Sequence, residues 1–363
     1  MNASSASAFA LALTTSVVLS ACAGGASDDP TGEPIKNDPQ AHATGTVWVA
    51  SQNTFGTSRK PAVTLYNMET GDKTRSADLS RNPKSMILTA KYAWVLCDKG
   101  LLARVTRADM RVDSMQLTQK TTQGSHAYQL AADENSVWIG DAYEGFIHID
   151  PESLAEIGRM TFTNPTLNSV DALALVAGNP WALMGGSSFR LIRLDAAGPA
   201  IAATLPLGEN PSDALGPRVA GRTGYGTMGI TGNQALVYAY TDKKLLRVDL
   251  AGGKIESLWN ADWIRWEALR VNGRLDIRGY AQGFMVANTD SLWIRRLGLS
   301  GQEHSQAAVK HYVTLNAMRS DGLMAVGYDT SDKIGEVGLF RAASLDTVRS
   351  VEFTWDQAAL ALE

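Results

Sequence analysis

The chain has 363 residues, with 33 Lys+Arg against 37 Asp+Glu, a net charge of −4, 45% hydrophobic residues, 33 Gly and 2 Cys. This length and apolar content exclude a disordered or collagenous chain and leave one large repetitive domain or two ordinary ones. A balanced charge without a Lys/Arg cluster lacks the footprint of a nucleic-acid binder, and two cysteines make neither a disulfide framework nor a zinc site.

In chain order, the first feature is an apolar run of small residues from Ala8 to Ala21, which stops at Cys22. A helix of that length rises only about 21 Å, short of the hydrocarbon core of a bilayer, so the run reads as a secretory signal over residues 1–21. Residues 22–44 are rich in Pro, Gly and Asp and nearly devoid of apolar side chains. Such a segment cannot bury enough surface to offset its ordering entropy, and it reads as a flexible tether about 25 Å long on average.

From residue 45 to 363 the chain repeats. Trp48, Trp94, Trp138, Trp181, Val237, Met285 and Ala325 each sit at the centre of a short apolar run, at intervals of 46, 44, 43, 56, 48 and 40 residues. Behind each run come a turn, a second alternating stretch, another turn and a third β-prone stretch. In the third unit these are Ser136 to Gly140, Gly145 to Asp150 and Ile157 to Phe162; in the fifth they are Ala235 to Tyr240, Lys244 to Asp249 and Lys254 to Leu258. A further apolar run, such as Ser85 to Ala90 or Ala127 to Ala131, precedes most units. Four strands per unit at this period predict an all-β fold, a seven-bladed propeller of four-stranded blades. The first unit starts at its Trp48 strand, while Trp355 to Glu363 has the pattern of a detached innermost strand. Closure of the first blade by the C-terminal strand is therefore expected, which removes two open sheet edges.

Two resemblances follow from these residues. Leu19-Ser20-Ala21-Cys22 followed by Ala23-Gly24-Gly25 resembles the lipobox of bacterial lipoproteins. It implies cleavage before Cys22, lipid on that cysteine and attachment to the cell envelope, with Ala23 implying the outer membrane in a Gram-negative host. The repeats, with Trp-Val-Ala, Trp-Ile-Gly or Met-Val-Ala-Asn followed by a Leu/Ile-x-Arg-Val-Asp-like strand, resemble the YVTN-type propellers related to the streptogramin lyases. Gly-His…Trp-Asp of WD40 repeats, the Gly-Gly of kelch and the Ser-x-Asp-x-Gly box of sialidases are missing.

The candidate chemistry lies in loops. Asp98, Asp141, Asp242, Asp290 and Asp329 recur shortly after the second strand, where a ring of carboxylates could hold Ca²⁺ or Mg²⁺, although aspartates also serve tight turns. His126 precedes an inner strand, and the lyase resemblance implies a channel-mouth histidine with a carboxylate, for which Glu144 is the nearest counterpart. Trp259, Trp263 and Trp266 share one helical face in a long blade connection, fit either to stack on a sugar or protein partner or to pack as a lid. A second long connection carries Arg218, Arg222 and Tyr225. Cys97 and the Trp at 48, 94, 138 and 181 read as packing residues.

These features describe a lipid-anchored binding or scaffolding module, monomeric or part of a hetero-complex, without a cofactor. Its partners would be the membrane, through Cys22, and an envelope protein or glycan. The alternative is a channel-mouth lyase or hydrolase using a divalent metal.

Overall fold

Stretches of β-branched and aromatic residues form the strands, and Gly, Asp and Asn at their ends turn the chain. In the computed structural model the described residues are 45–52, 60–117, 129–141, 145–162, 168–186, 188–209, 226–239, 244–258, 275–288, 293–308, 312–319, 322–329, 335–341, 345, 347–353 and 357–363. The chain divides into two units, Met1–Gln40 and Ala41–Glu363, and every described residue belongs to the second. Among these residues, 28 strands form seven antiparallel sheets of four, and the single helical element is the 3-10 turn Asp98–Gly100. No helix among them is long and apolar enough to cross a membrane.

Six blades run from inner to outer strand in chain order, as in blade 2: Pro83–Leu88, Tyr92–Cys97, Leu101–Thr106 and Val112–Gln116. Blade 1 differs, because its order is Gln357–Leu362, Thr46–Ser51, Ala62–Asn67 and Lys73–Asp78. The C-terminal strand is thus its inner strand, with Val47 opposite Leu362, Trp48 opposite Ala361 and Val49 opposite Leu360. The closure expected from the repeat count is what the chain forms.

The core is distributed. Seven hydrophobic clusters fill the seven interfaces between neighbouring blades, including that between blades 7 and 1, where Val47, Val49 and Leu360 pack on Ala325, Val337 and Leu339. A second strand therefore has a neighbouring blade on each face, which is why Val47-Trp48-Val49 and Ala93-Trp94-Val95 are apolar throughout instead of alternating. Trp48 faces blade 2, Trp94 blade 3, Trp138 blade 4 and Trp181 blade 5. The recurring tryptophan fills the interface with the following blade, as its packing role requires.

The Arg-Val-Asp element also has a structural origin. Its Asp ends the third strand and caps the turn to the outer one: Asp150 Oδ1 accepts hydrogen bonds from the Ser153 N–H and hydroxyl at 2.7 Å each, and Asp249 Oδ1 accepts from the Ala251 N–H at 3.0 Å. Its Arg lies opposite a large apolar residue of the second strand, Trp94 for Arg104 and Leu236 for Arg247. Arg104, in register with Trp94, is buried; it donates to Asp113 at 2.8 Å and to the carbonyls of Pro151 (2.8 Å) and Glu152 (2.6 Å) in blade 3. Arg247 pairs with Glu256 and donates to the Leu299 carbonyl of blade 6. These two arginines staple blade 2 to blade 3 and blade 5 to blade 6. Replacing Arg104 with Met removes the donor to two carbonyls and leaves Asp113 with Arg111 alone, and the expected loss is about 2–4 kcal/mol in urea unfolding. A loss within error of zero would remove the staple from the stability of the ring.

Candidate functional site

All inner strands run in one direction along the channel, so their last residues and the hairpins to the second strands gather at one end, the hairpin face. The second-to-third-strand loops and the blade-to-blade connections gather at the other, the connection face. The two ends differ in chemistry. In the inner strands of blades 2, 4, 5 and 1 the first halves read Lys84-Ser85, Asn168-Ser169, Thr227 and Gln357, while the second halves read Met86-Ile87-Leu88, Leu173-Ala174-Leu175, Ile230 and Leu360-Ala361-Leu362. The hairpin end encloses a cavity of about 640 Å³, lined by six inner strands and the adjoining turns. Leu88, Leu173, Leu175, Ile230, Met318 and Leu362 line it half-buried, and among the described residues of the lining Arg278, which is exposed, is the one that is ionised. Its lining therefore mixes aliphatic side chains with polar groups, most of them from the backbone of the inner strands.

Close packing shapes this end. Thr231 Oγ1 donates to the Tyr280 carbonyl at 2.7 Å, joining the inner strands of blades 5 and 6, Gly226–Thr231 and Leu275–Tyr280. A Cβ on Gly279 would lie 1.9 Å from the Ile230 carbonyl oxygen, so glycine is required where these backbones meet. The ring is latched at the same face. Glu363 donates its N–H to the Thr46 carbonyl at 3.0 Å, accepts from Trp48 Nε1 at 3.0 Å, pairs through its carboxylate with Arg107 of blade 2, and offers its carbonyl to Arg319 of blade 7 at 3.0 Å.

A second unusual group lies between blades 3 and 4. His148 occupies in blade 3 the register position that Arg104 holds in blade 2, opposite Trp138 and stacked on it at 4.1 Å between ring centroids with 11° between planes. It is 5% exposed, and neither ring nitrogen has a hydrogen-bond partner among the described residues. Burial pulls its pKa below the ordinary histidine value, against the raising influence of Asp150 and Asp133. Cys97 ends a strand in the blade 1–2 interface; burial pushes its thiol up to about 12, so it stays protonated and inert, as a packing residue.

The structure separates the sequence candidates. Asp98 lies in the 3-10 turn of blade 2 and pairs with Lys84 at 3.1 Å. Asp141 is the last residue of its strand, not a loop residue, opposite Gly145 and fully buried. Asp329 likewise ends the strand Leu323–Asp329. No group of three His, Cys, Asp or Glu side chains among the described residues is placed to hold a metal ion. His126, Glu144, Asp242, Asp290, Cys22, Trp259, Trp263, Trp266, Arg218, Arg222 and Tyr225 lie outside the described residues. Sequence reasoning missed the hairpin-end cavity. Part of its signal was present, because the apolar residues of four inner strands cluster at their C-terminal ends, but that signal acquires meaning only when those ends are known to converge.

No protein-family model matches the chain, and no curated protein sequence matches it. Among solved structures, it is similar to the WD40 repeats of RRP9 (TM-score 0.58, 11% identity, 78% of this chain and 84% of that one). It is similar to the computationally designed Ika8 protein (TM-score 0.56, 11% identity, 82% and 83%). It also resembles apo AztD from Citrobacter koseri (TM-score 0.51, 8% identity, 88% and 97%). Identities this low establish the propeller fold alone.

Proposed function

We propose that the protein is a lipid-anchored binding or scaffolding module of the bacterial cell envelope. The observation that carries this reading is the closed ring itself: seven apolar blade interfaces, two of them stapled by arginines, latched by the C-terminal strand, make a fixed frame for the loops at its two faces. Loops held on such a frame are where binding surfaces are built. The two longest stretches between the last strand of one blade and the first of the next, residues 210–225 and 259–274, precede and follow the strands of blade 5 in the sequence and lie outside the described residues. They carry Arg218, Arg222, Tyr225, Trp259, Trp263 and Trp266, the residue types that dominate binding energy at interfaces. The lipobox-like residues around Cys22 support attachment through that cysteine, with 22–44 as tether.

The reading is tested in two places. In a bacterial host, Cys22→Ala is expected to move the protein from the membrane to the soluble fraction and to remove the acyl mass from the mature N-terminus. An unmodified Cys22 would reject the anchor. Trp263→Ala combined with Trp266→Ala is expected to leave the melting temperature within a few degrees of wild type while abolishing co-purification of envelope partners; retained capture would reject this surface.

A further inference from the structure

Third strands run parallel to the inner ones, so the turns from third to fourth strands also lie at the hairpin face. Together with the hairpins they divide that face into two unlike parts. In blades 1 to 3 these segments carry exposed Glu69, Lys91, Asp109, Arg111, Glu134 and Glu152. In blades 4 to 6 the hairpins read Ala177-Gly178, Gly232-Asn233 and Ala281-Gln282, without a charge. Their third-to-fourth turns expose two: Asp195 caps its own turn by accepting from the Ala197 N–H at 3.0 Å, and Lys254 pairs with Glu256. The large aliphatic residues left exposed follow the same division. Among the described residues they are Ile157, Ile201, Ile255 and Leu299, one in each of the consecutive blades 3 to 6. Each lies in the third-to-fourth turn or near the start of the outer strand that follows, and Ile201 and Ile255 share one register position, opposite Leu194 and Val248. All four therefore stand on the rim of the hairpin face.

What this rim meets follows from where the chain enters the ring. The Gly45 carbonyl accepts the Met68 N–H of the blade 1 turn at 3.1 Å, and Thr46 then begins its strand at the hairpin face. Residues 22–44 thus join the ring on the face that bears the four aliphatic residues. With lipid on Cys22, the reading on which this inference rests, a tether about 25 Å long on average keeps that face nearest the bilayer. The spacing of the aliphatic residues suits a bilayer as well. One side chain per blade does not make the contiguous patch that a protein partner covers, but each can enter a soft planar surface by itself. The uncharged hairpins meet the headgroup layer through backbone polar groups, where charged turns would resist desolvation. We infer that the propeller rests on the bilayer by the hairpin-face rim of blades 3 to 6, with Ile157, Ile201, Ile255 and Leu299 in the interfacial layer. The connection face is then directed away from the membrane, toward partners.

The ring is complete within residues 45–363, so a chain of residues 22–363 made without lipid and carrying Cys22→Ser keeps this surface and removes the anchor. It is expected to sediment with phosphatidylcholine vesicles at ~1 mM lipid, and the bound fraction to change less than about twofold between ~0.05 and ~0.5 M NaCl, because charge does not drive it. Ile201→Asp, Ile255→Asp and Leu299→Asp combined should weaken binding about tenfold or more and leave the melting curve unchanged, since all three side chains are exposed. Cys97 is buried and protonated, so an introduced thiol takes a label alone. A fluorophore on Ile255→Cys should be quenched by spin-labelled lipid, and one on Lys60→Cys, at the connection face, should not. This comparison stands even if the triple variant folds poorly, and it is repeated on the lipidated chain. Absence of binding, equal quenching at the two positions or undiminished binding of the triple variant overturns the inference. So does binding that salt abolishes, or a dimer of the unlipidated chain that the triple variant dissociates without effect on vesicles, which would assign the rim to a second copy. The mass of Cys22 from the bacterial host decides the anchor, and the vesicle measurements on the unlipidated chain decide the rim, so the two failures are distinguishable.

Discussion

Deleting Ala359–Glu363 is expected to lower the melting temperature by at least ~10 °C, a shift that corresponds to roughly 5 kcal/mol in a domain of this size. Leu360 packs into the interface of blades 7 and 1, and Ala359 and Ala361 into that of blades 1 and 2, so two of the seven cores lose part of their lining together. Burial of Leu360 alone is worth about 1.5–3 kcal/mol. The deletion also removes every bond made by Glu363, leaving Arg107 without its carboxylate, the Trp48 indole without its acceptor and Arg319 without the carbonyl to which it donates. It further uncovers the edge of Thr46–Ser51, the strand that carries Val47, Trp48 and Val49. An uncovered apolar edge pairs with other chains, so the truncated protein should elute from size exclusion as oligomers. A peptide of the last seven residues added in trans should restore both melt and elution. An unchanged melt would mean that the ring does not depend on this strand.

The second large effect concerns acid. Replacing His148 with Phe is expected to stabilise the protein by about 1 kcal/mol at pH 7.5, because Phe retains a ring against Trp138 and removes two buried nitrogens that bond to nothing among the described residues. The gain should widen on acidification. In the unfolded chain the imidazole titrates near its ordinary value of about 6.5, whereas burial in the folded protein lowers its proton affinity. Below that ordinary value the unfolded state takes up the proton first, and acid draws the equilibrium toward unfolding. The stability tied to neutral His148 is therefore complete above about pH 6.5 and is lost as pH falls toward the depressed folded value. Urea midpoints from pH 7.5 to 5 should fall for wild type more steeply than for His148→Phe. Parallel curves would show that another group governs the acid response.

Much of the architecture was legible beforehand for local reasons. A strand and its turn are decided by a few consecutive residues, so the period of the tryptophan-centred runs, the count of seven and the role of Trp355 to Glu363 as a missing inner strand could be read directly. Strand ends were less legible. Asp141 and Asp329 fall inside their strands because pairing extends to residues whose type suggests a turn, and the outer strand of blade 5 shortens to Ile255–Ser257. The Asp of the Arg-Val-Asp element was visible as part of a pattern, but its purpose, capping the turn that follows, needed the hydrogen bonds.

The sequence by itself determined what depends on neighbours in the chain: the all-β class, the blade number, closure by the C-terminus and the burial of Cys97 and of the four blade tryptophans. Only the tertiary structure decided which distant residues meet. Leu88 and Leu362 share one cavity although hundreds of positions separate them, because ring closure brings their strand ends together. Arg104 and His148 occupy equivalent positions in adjacent blades, yet the first donates to three acceptors and the ring nitrogens of the second bond to nothing among the described residues. That difference lies in what the following blade offers each of them, and a repeat pattern, which records the blade, does not record its neighbour.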